Sequence, residues 1–289
     1  MKNKPNVLYH YTSMSTLYKL LDNLKYTPPM DAEENSIDNY SLEFRASNIS
    51  FVNDPTEREF YFNGIVEAMR KYEQKMNLRM DKSLYFFRNV RIFQGIFGDG
   101  YTISFSENED SLTMWRGYGA NGCGVAIGFD REKLETMDSG KLAQVKYMDS
   151  RELVSFFPDE FLQGIHDEII VDTKRNVLPS PKMINRVKGD MEFVKDRSYA
   201  DEKEWKFLIQ TPDINVDFYE KNGLIIPYYK IQIPLSAINT IIIGPCANSE
   251  LSLKSLGMLM SKKLTGIPGV DIVQWVIKIA KSKVPYINL

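Results

Sequence analysis

The sequence has few of the residues that bind transition metals or form covalent cross-links. Its 289 residues include two histidines and two cysteines. The cysteines, Cys123 and Cys246, lie far apart in unlike segments, so they form neither the close spacing of a metal site nor a disulfide framework. We therefore expect no metal site, no disulfide and a reducing, cytoplasmic environment.

Neither charge nor hydrophobicity is concentrated enough to dictate a partner. Lys and Arg number 36 against 38 Asp and Glu, which gives a formal net charge of −2. No excess of positive charge favours a nucleic-acid backbone, although Lys174-Arg175 and Arg186-Lys188 form a local basic cluster. The polar N-terminus is not followed by a hydrophobic signal core. No run of about 18 apolar residues is present, so no membrane span is expected.

Several common catalytic motifs are also missing. The sequence contains no His-Glu-x-x-His, no Walker loop and no Gly-x-Ser-x-Gly, which are the usual signatures of zinc proteases, nucleoside triphosphatases and α/β-hydrolases. With 43% apolar and 26% charged residues, the composition is that of an ordinary globular protein with a large core. Candidate sites must therefore come from less common groupings of residues.

The pattern of apolar residues predicts strands and helices that alternate irregularly. The strands are predicted at about residues 7–12, 24–26, 41–51 (two short strands), 101–106, 125–129, 143–147, 204–210, 224–233, 238–243, 272–279 and 284–287. The helices are predicted at about residues 13–22, 54–76, 81–96, 112–118, 131–135 and 249–263. Because no repeat or linker divides the chain, we expect one α+β domain over 1–289 with a helical insertion at about 150–198.

His10 is the first candidate functional residue. It lies in the apolar run from Val7 to Ser13, which predicts a strand that ends in polar residues. A histidine at the inner end of a strand can hydrogen-bond a ligand, and Thr12 and Ser13 would add two hydroxyl groups beside it. The alternative is a hydrogen-bonded histidine of the core. The second histidine, His166, lies in a charged helical segment and is expected on the solvated surface.

A second candidate is the polar turn that precedes the long helix beginning near residue 54. Asp54 or Thr56 can cap that helix, and Glu57 lies in its first turn, where the helix dipole favours a negative charge. This capping role is one interpretation. The other is that Asn53, Asp54 and Glu57 line the edge of a cleft and bind a polar ligand.

A third candidate combines aromatic residues with nearby glycines. Trp115 and Tyr118 are three residues apart and share a helix face. Together they could stack on a flat ring, while the glycines would let the backbone approach a ligand closely. The alternative is that Trp115 anchors the core.

A fourth candidate is the segment from Glu202 to Phe207. If it is extended, Glu202, Glu204 and Lys206 point to one face, and Trp205 and Phe207 point into the core. Two acids on one face of a strand make a plausible cleft wall. The alternative is the exposed polar face of an edge strand.

In order along the chain, these segments resemble a bacterial family known as domain of unknown function 2971. The matching motifs are Tyr-His-Tyr-Thr at 9–12, Asn-Asp-Pro-x-Glu at 53–57, the Phe-Ser, Met-Trp-x-x-Tyr and Gly-Val-x-Ile-Gly-Phe blocks within 105–129, Glu-x-Glu-Trp at 202–205, Gly-Pro at 244–245 and Ser-x-Val-Pro-Tyr at 282–286. One departure is Lys206, where the family usually has arginine. Lysine is a point charge without a planar fork, so a bidentate clamp is not expected there.

A weaker resemblance is to ADP-ribosyltransferases of the His-Tyr-Glu type. It implies a split mixed or antiparallel β core, NAD as the substrate and no metal. By this resemblance, His10 would position the ribose or nicotinamide, Trp115 and Tyr118 would stack on the nicotinamide ring, and Glu204 would stabilise the developing positive charge. Glu202 would assist Glu204. The NAD-binding set would also include Tyr11, Thr12, Ser50, Asn53 and Glu57.

These resemblances favour an NAD-binding, ADP-ribosyltransferase-like enzyme in a bacterial anti-phage defence or toxin setting. Its partners would be a nucleotide, a protein or nucleic-acid acceptor, and an antitoxin or other defence protein. Two alternatives stay open. One is a non-catalytic module that senses a nucleotide or binds a partner. The other is a metal-free nuclease or phosphotransferase acting on RNA, for which the basic cluster would supply the contacts.

Overall fold

The structure is a computed structural model of the full chain. It describes residues 4–28, 37–51, 57–96, 100–169, 182, 187, 190–209, 216–221, 223–265, 267 and 277–286, with backbone alone at 90–96 and 221. The contacts group the chain into two compact units. The first contains Met1–Asn48, Tyr101–Ala143 and Asp201–Leu289, and the second contains Ile49–Gly100 and Gln144–Ala200. The expectation of a single domain stays a prediction.

The described residues form both strands and helices. The strands are β1 Val7–Ser13, β2 Lys25–Tyr26, β3 Tyr40–Asn48, β4 Tyr101–Ser106, β5 Gly124–Asp130, β6 Lys141–Gln144, β7 Lys146–Met148, β8 Val194–Asp196, β9 Glu204–Ile209, β10 Val216–Lys221, β11 Leu224–Pro234, β12 Ile238–Ile243 and β13 Lys278–Lys281. The α-helices are α1 Met14–Asp22, α2 Glu57–Lys75, α3 Asp81–Ile96, α4 Leu112–Gly117, α5 Arg131–Glu135, α6 Ser150–Phe156, α7 Asp159–Glu168 and α8 Ser249–Leu264. The predicted α+β class is confirmed.

The first unit is built on a mixed sheet with the strand order β10-β11-β3-β4-β1-β5-β12-β13. Only the β12–β13 pairing along this path is parallel, and β9 pairs with both β4 and β6. One edge of β4 is shared by two strands: β3 pairs with Tyr101 and Thr102, and β1 pairs with Ser106. The sheet therefore splits along β4, and Ile103, Ser104 and Phe105 lie between the two pairings.

The two faces of this sheet carry different clusters because strand side chains alternate. Leu8 of β1 belongs to the large apolar core, together with Phe44, Phe105 and Phe129. Tyr9 and Tyr11 belong to a smaller cluster on the other face, whose other buried members are Met114, Trp115, Ala126 and Ile242. Helices α1 and α8 pack on the large core, whereas α4 packs on the smaller cluster.

Helix α1 shows why local sequence specifies these elements. The Ser13 side chain accepts a hydrogen bond from the Thr16 backbone N–H at 3.0 Å, which confirms the predicted cap; such a cap stabilises a helix by about 1 kcal/mol. Leu17, Leu20 and Leu21 are buried, as the three-to-four residue spacing of a helix face requires.

The second unit is mainly helical. Helices α2, α3, α6 and α7 surround a core that includes Phe62, Phe86 and Leu153. Gly64 permits the close contact of α2 with α6, because a Cβ at this position would lie 2.5 Å from the Leu153 side chain. A small parallel sheet joins β7 to β8. Strand β8 lies within the segment that was predicted to be helical, so that prediction is wrong at Val194–Asp196.

Several element boundaries differ from the prediction. The strand predicted at 143–147 is two strands in different sheets, β6 and β7, with the buried Val145 between them. The strand predicted at 284–287 is absent over its described residues, 284–286. Strand β10 has no counterpart in the prediction. Within the described residues, no helix is both long enough and apolar enough to span a bilayer.

Candidate functional site

A group of polar side chains lies against the face of the sheet opposite the large core. In the β4–β9 ladder, Glu204 is paired with Ser106 and Trp205 with Phe105. Trp205 and Phe105 belong to the large core, so Glu204 and Ser106 point to the other face. We call Ser106, Tyr118, Glu202 and Glu204 the Tyr–Glu cluster.

Tyr118 and Glu202 are joined by a hydrogen bond. The Tyr118 hydroxyl donates a hydrogen bond to Glu202 Oε1 at 2.5 Å, a donor–acceptor distance typical of a hydroxyl that binds a carboxylate. Tyr118 lies at the C-terminal end of α4, and only 8% of the Glu202 surface is exposed. The sequence segments containing these two residues therefore meet, and the contact orients one carboxylate.

The chain around Glu202 is held by hydrogen bonds from the end of β4. Ser106 Oγ donates to the Glu202 carbonyl at 2.5 Å, and the Asn108 N–H donates to Ser106 Oγ at 3.0 Å. The Glu107 N–H donates to the Lys203 carbonyl at 3.1 Å. Lys203 has a φ of 43°, in the left-handed region. Glu202 therefore ends the 3-10 helix Arg197–Glu202 and does not extend the strand.

This turn corrects the predicted geometry of the Glu-x-Glu segment. Glu204 and Lys206 share a strand face, but Glu202 reaches the same cluster from the preceding turn. Glu204 and Lys206 are 5% and 4% exposed. The alternative of an exposed edge strand is wrong because β9 is paired on both sides, by β4 and β6. A buried carboxylate and a buried cation thus follow one another along a single face of β9.

His10 occupies the gap where the sheet splits. Its Nδ1 lies 2.9 Å from the Ser104 carbonyl oxygen, and its ring makes edge contacts with Phe44 and Phe105. A carbonyl oxygen only accepts, so Nδ1 carries the hydrogen and Nε2 is left as an acceptor. Burial lowers the pKa of His10, although the bond to Ser104 opposes this shift. The imidazole is therefore neutral near pH 7.

The position of His10 corrects its predicted partnership with Glu204. His10 contacts Phe44 and Phe105 of the large core, whereas Glu204 lies on the opposite face of the sheet. Thr12 follows His10 by two residues and shares its face. The expectation that His10, Trp115, Tyr118 and Glu204 surround one ligand is wrong for His10.

Trp115 has no ring face available for a ligand. It is 0% exposed, and its Nε1 donates a hydrogen bond to Asp110 Oδ1 at 2.6 Å. The Tyr11 ring packs edge-on against it, with the two ring centroids 4.8 Å apart. A Cβ on Gly119 would lie 2.5 Å from the indole. The prediction that Trp115 stacks on nicotinamide is wrong, and the alternative of a core anchor holds.

Tyr11 and Asp110 connect the smaller cluster to the loop after β4. The Tyr11 hydroxyl donates to the Asn108 carbonyl at 2.9 Å and accepts from the Ser111 N–H at 3.3 Å. Burial is the main cause of the raised pKa of Tyr11. Asp110 accepts from Ser282 Oγ and from the Lys283 N–H, each at 2.6 Å. Both residues are engaged in structural bonds.

The sequence did not identify Ser106 and Asp110 as organising residues. Ser106 is the last residue of β4 and Asp110 lies in the loop that follows, and their partners Glu202 and Ser282 are far away in the chain. In the sequence analysis, Ser106 and Ser282 appeared only as parts of the matched family motifs. Nothing in the spacing of local residues indicates these contacts.

The remaining candidates belong to the second unit. Ser50 is exposed in the 3-10 helix Ile49–Phe51. Asn53 and Asp54 lie outside the described residues, as do the basic residues at 174, 175, 186 and 188. Glu57 is buried in the first turn of α2 and forms an ion pair with the buried Lys195 at 2.9 Å. A buried ion pair was not among the interpretations of Glu57.

His166 is not the solvated surface residue that was expected. Its side chain is 13% exposed, and its Nε2 lies 3.9 Å from the buried Glu73 carboxylate. Its ring makes an edge contact with Tyr72. Glu73 also accepts a hydrogen bond from the Ser83 N–H at 3.0 Å. His166 therefore belongs to a buried polar group that joins helices α2, α3 and α7.

Comparison with known proteins gives a partial match. Residues 114–207 match the model of a family described as protein of unknown function (DUF2971). The match covers less than half of the chain, and it includes Tyr118, Glu202 and Glu204. No curated protein matches the sequence, and no solved structure matches it. Among the described residues, no group of three or more His, Cys, Asp or Glu side chains is arranged to hold a metal ion.

Proposed function

We propose that the protein is an ADP-ribosyltransferase-like enzyme that cleaves the nicotinamide–ribose bond of NAD at the Tyr–Glu cluster. One observation carries the proposal. Two carboxylates on neighbouring positions, Glu202 and Glu204, are both more than nine-tenths buried, and Tyr118 orients one of them by a hydrogen bond. Buried, fixed carboxylates are suited to stabilise positive charge that develops during a reaction.

The reaction balances without a metal ion. The bond between ribose C1′ and the pyridinium nitrogen breaks, and its electron pair leaves with nicotinamide as a neutral molecule. The ribose becomes an oxocarbenium ion, which an anionic carboxylate stabilises. A nucleophile, either an acceptor side chain, a nucleic-acid atom or water, then bonds to C1′ and gives its proton to a carboxylate.

The residues take different roles from those that the resemblance implied. Glu204 lies on a strand paired on both sides, so its carboxylate has the more rigid support, and we assign charge stabilisation to it. Glu202, held by Tyr118, is assigned to the ribose hydroxyls or to proton acceptance. Lys206, on the face of Glu204, would bind a phosphate oxygen of the dinucleotide as a point charge. His10 has no role at the reacting atoms.

The setting proposed for this activity is a bacterial defence or toxin system in the cytoplasm. The similarity of residues 114–207 to DUF2971 supports a relation to that family but assigns no activity. The acceptor would be a protein or a nucleic acid, and an antitoxin or another defence protein would restrain the enzyme.

NAD labelled on the adenylate and NAD labelled on nicotinamide test the proposal. The protein is incubated with each in cell extract, and transfer of label and release of nicotinamide are measured. We expect Glu204→Gln to lower the rate by about 100-fold or more, and Glu202→Gln to lower it less. Glu132→Gln serves as the control because the Glu132 side chain is 80% exposed. Absence of both transfer and nicotinamide release with the wild-type protein would exclude the activity.

One observation favours a second candidate, a non-catalytic module that senses a nucleotide or binds a partner. Trp115 is fully buried and Tyr118 already has a partner within the protein, so these aromatic side chains serve the fold. Calorimetry with NAD separates the two candidates: binding with no turnover favours the module. Expression in a bacterial host adds a second test, since a toxic wild type and a harmless Glu204→Gln variant favour the enzyme.

A further inference from the structure

The two cysteines come together although they are distant in the sequence. Cys123 follows the 3-10 helix Ala120–Gly122 and precedes β5. Cys246 lies in the turn between β12 and α8. Strands β5 and β12 are antiparallel neighbours, paired as far as Val125 with Ile243. The two cysteines thus leave the same end of the same strand pair.

Backbone contacts continue this pairing toward the cysteines. The Gly244 N–H donates to the Gly124 carbonyl at 2.9 Å. A Cβ on Gly244 would lie 2.4 Å from the Gly122 carbonyl oxygen, so the absence of a side chain lets the two turns touch. Continuing the register from the Val125–Ile243 pair places Cys123 opposite Pro245, the residue that precedes Cys246 in the chain. A disulfide between Cys123 and Cys246 needs their Cα atoms about 4.4–6.8 Å apart.

Both thiols are reachable, and Cys246 is a neighbour of the Cys123 thiol. Cys123 is exposed and Cys246 is partly exposed, and both are free thiols. Burial and a hydrogen bond with Cys246 raise the pKa of the Cys123 thiol. The thiolate is the reactive form, so oxidation is slow at neutral pH and becomes faster as the pH rises.

We propose that Cys123 and Cys246 form a reversible redox site that peroxide converts to an intramolecular disulfide. The Cys123 thiolate bonds to one peroxide oxygen, the O–O bond breaks, and hydroxide leaves and takes a proton as water. The Cys246 thiol then bonds to the sulfur of the sulfenic acid, the S–O bond breaks and a second water leaves. Two electrons pass from the thiols to the peroxide, and a dithiol reductant reverses the change.

The disulfide would fix the turns on either side of the Gly124–Gly244 contact. A Cβ on Gly244 would lie 3.1 Å from the Trp115 ring, so this contact borders the residue that anchors α4. A cross-link between residues so distant in sequence restricts the unfolded chain strongly. We expect the oxidised protein to melt several degrees higher than the reduced protein.

Full-length protein is treated with hydrogen peroxide at mildly alkaline pH, and its thiols are counted after denaturation. We expect two thiols before treatment and none after it, loss of the mass of two hydrogen atoms, and a peptide pair joined through Cys123 and Cys246. In the Cys246→Ser variant, Cys123 should stop at the sulfenic acid and react with dimedone. Retention of both thiols, overoxidation of Cys123 without a cross-link, or disulfides between two chains would overturn the proposal.

Discussion

His10 and Glu204 lie on opposite faces of one sheet, although their strands both pair with β4. His10 contacts the phenyl rings of the large core, and Glu204 joins Ser106 on the other face. The side-chain alternation of strands separates them. The chemistry proposed above is therefore confined to the Tyr–Glu cluster. We expect substitutions of His10 to change the stability of the fold.

The first prediction concerns the hydrogen bond between Tyr118 and Glu202. Tyr118→Phe removes the hydroxyl that donates a hydrogen bond to the Glu202 carboxylate. We therefore expect the free energy of unfolding to fall by about 1.5–3 kcal/mol. Urea titration of the wild type and the variant measures the change. Tyr18→Phe is the matched control because Tyr18 is 51% exposed. Equal effects of the two substitutions would show that the bond contributes nothing specific.

The second prediction concerns Asp110, which binds Trp115, Ser282 and the backbone of Lys283. Asp110→Ala leaves the buried indole N–H without an acceptor and releases the C-terminal segment. We expect a loss of about 2 kcal/mol in stability and faster amide hydrogen exchange at Ser282, Lys283, Val284 and Tyr286. Asp138→Ala, at an exposed position, is the control. Unchanged exchange in the C-terminal segment would contradict the assigned contact.

The third prediction concerns the pH dependence that His10 confers. Its pKa is lowered from 6.5 in the folded protein, mainly by burial. The unfolded state therefore binds more protons between the folded pKa and 6.5, so stability rises with pH in that window. Above the unfolded pKa the contribution is fully present, and it is lost as the pH falls toward the folded pKa.

Two measurements check this behaviour. An NMR titration of the His10 ring should have its midpoint below 6.5. In urea titrations, the stability advantage of the wild type over His10→Gln should shrink as the pH is lowered through that window. A midpoint at or above the unfolded value would show that the imidazole is not held neutral by burial.

The fourth prediction concerns the ion pair of the second unit. Lys195→Met removes the cation that binds the buried Glu57 carboxylate, and breaking a buried pair costs about 3–5 kcal/mol. The double variant with Glu57→Gln should recover part of that loss. Lys75→Met provides the comparison, because its pair with Asp159 is exposed and such pairs contribute about 0–1 kcal/mol. Similar losses for Lys195 and Lys75 would refute the distinction.

Elements with strong local signals were predictable. The Ser13 cap and the buried leucines of α1 could be predicted from residues close to them in the sequence. The same is true of the buried strand β12 and the helix α8. That Tyr118 lies near the Glu202–Glu204 segment was implied by the resemblance to ADP-ribosyltransferases and not by residue spacing. The two strands β6 and β7 were predicted as one because both are β-favouring, and only their pairing partners separate them.

Contacts between distant segments were not predictable. Residues 284–287 were predicted as a strand, but residues 284–286 form none. The preceding Ser282 hydroxyl and Lys283 N–H instead donate hydrogen bonds to the Asp110 carboxylate. Trp115 and Tyr118 share a helix face in the sequence pattern, but one is fully buried and the other reaches Glu202. Nothing in the sequence relates Cys123 to Cys246, and only the pairing of β5 with β12 brings them to the same end of the sheet.

Local sequence patterns are enough to specify the α+β class, the alternation that separates His10 from its neighbouring tyrosines, and the chemical types of side chain available to a site. These properties depend on residues within a few positions of one another. Which faces coincide depends on the tertiary fold: Glu204 lies with Ser106 and not with His10, and Cys123 and Cys246 lie at the same end of the β5–β12 pair. Strand register sets these outcomes, because a shift of one residue would turn every side chain of β9 to the other face.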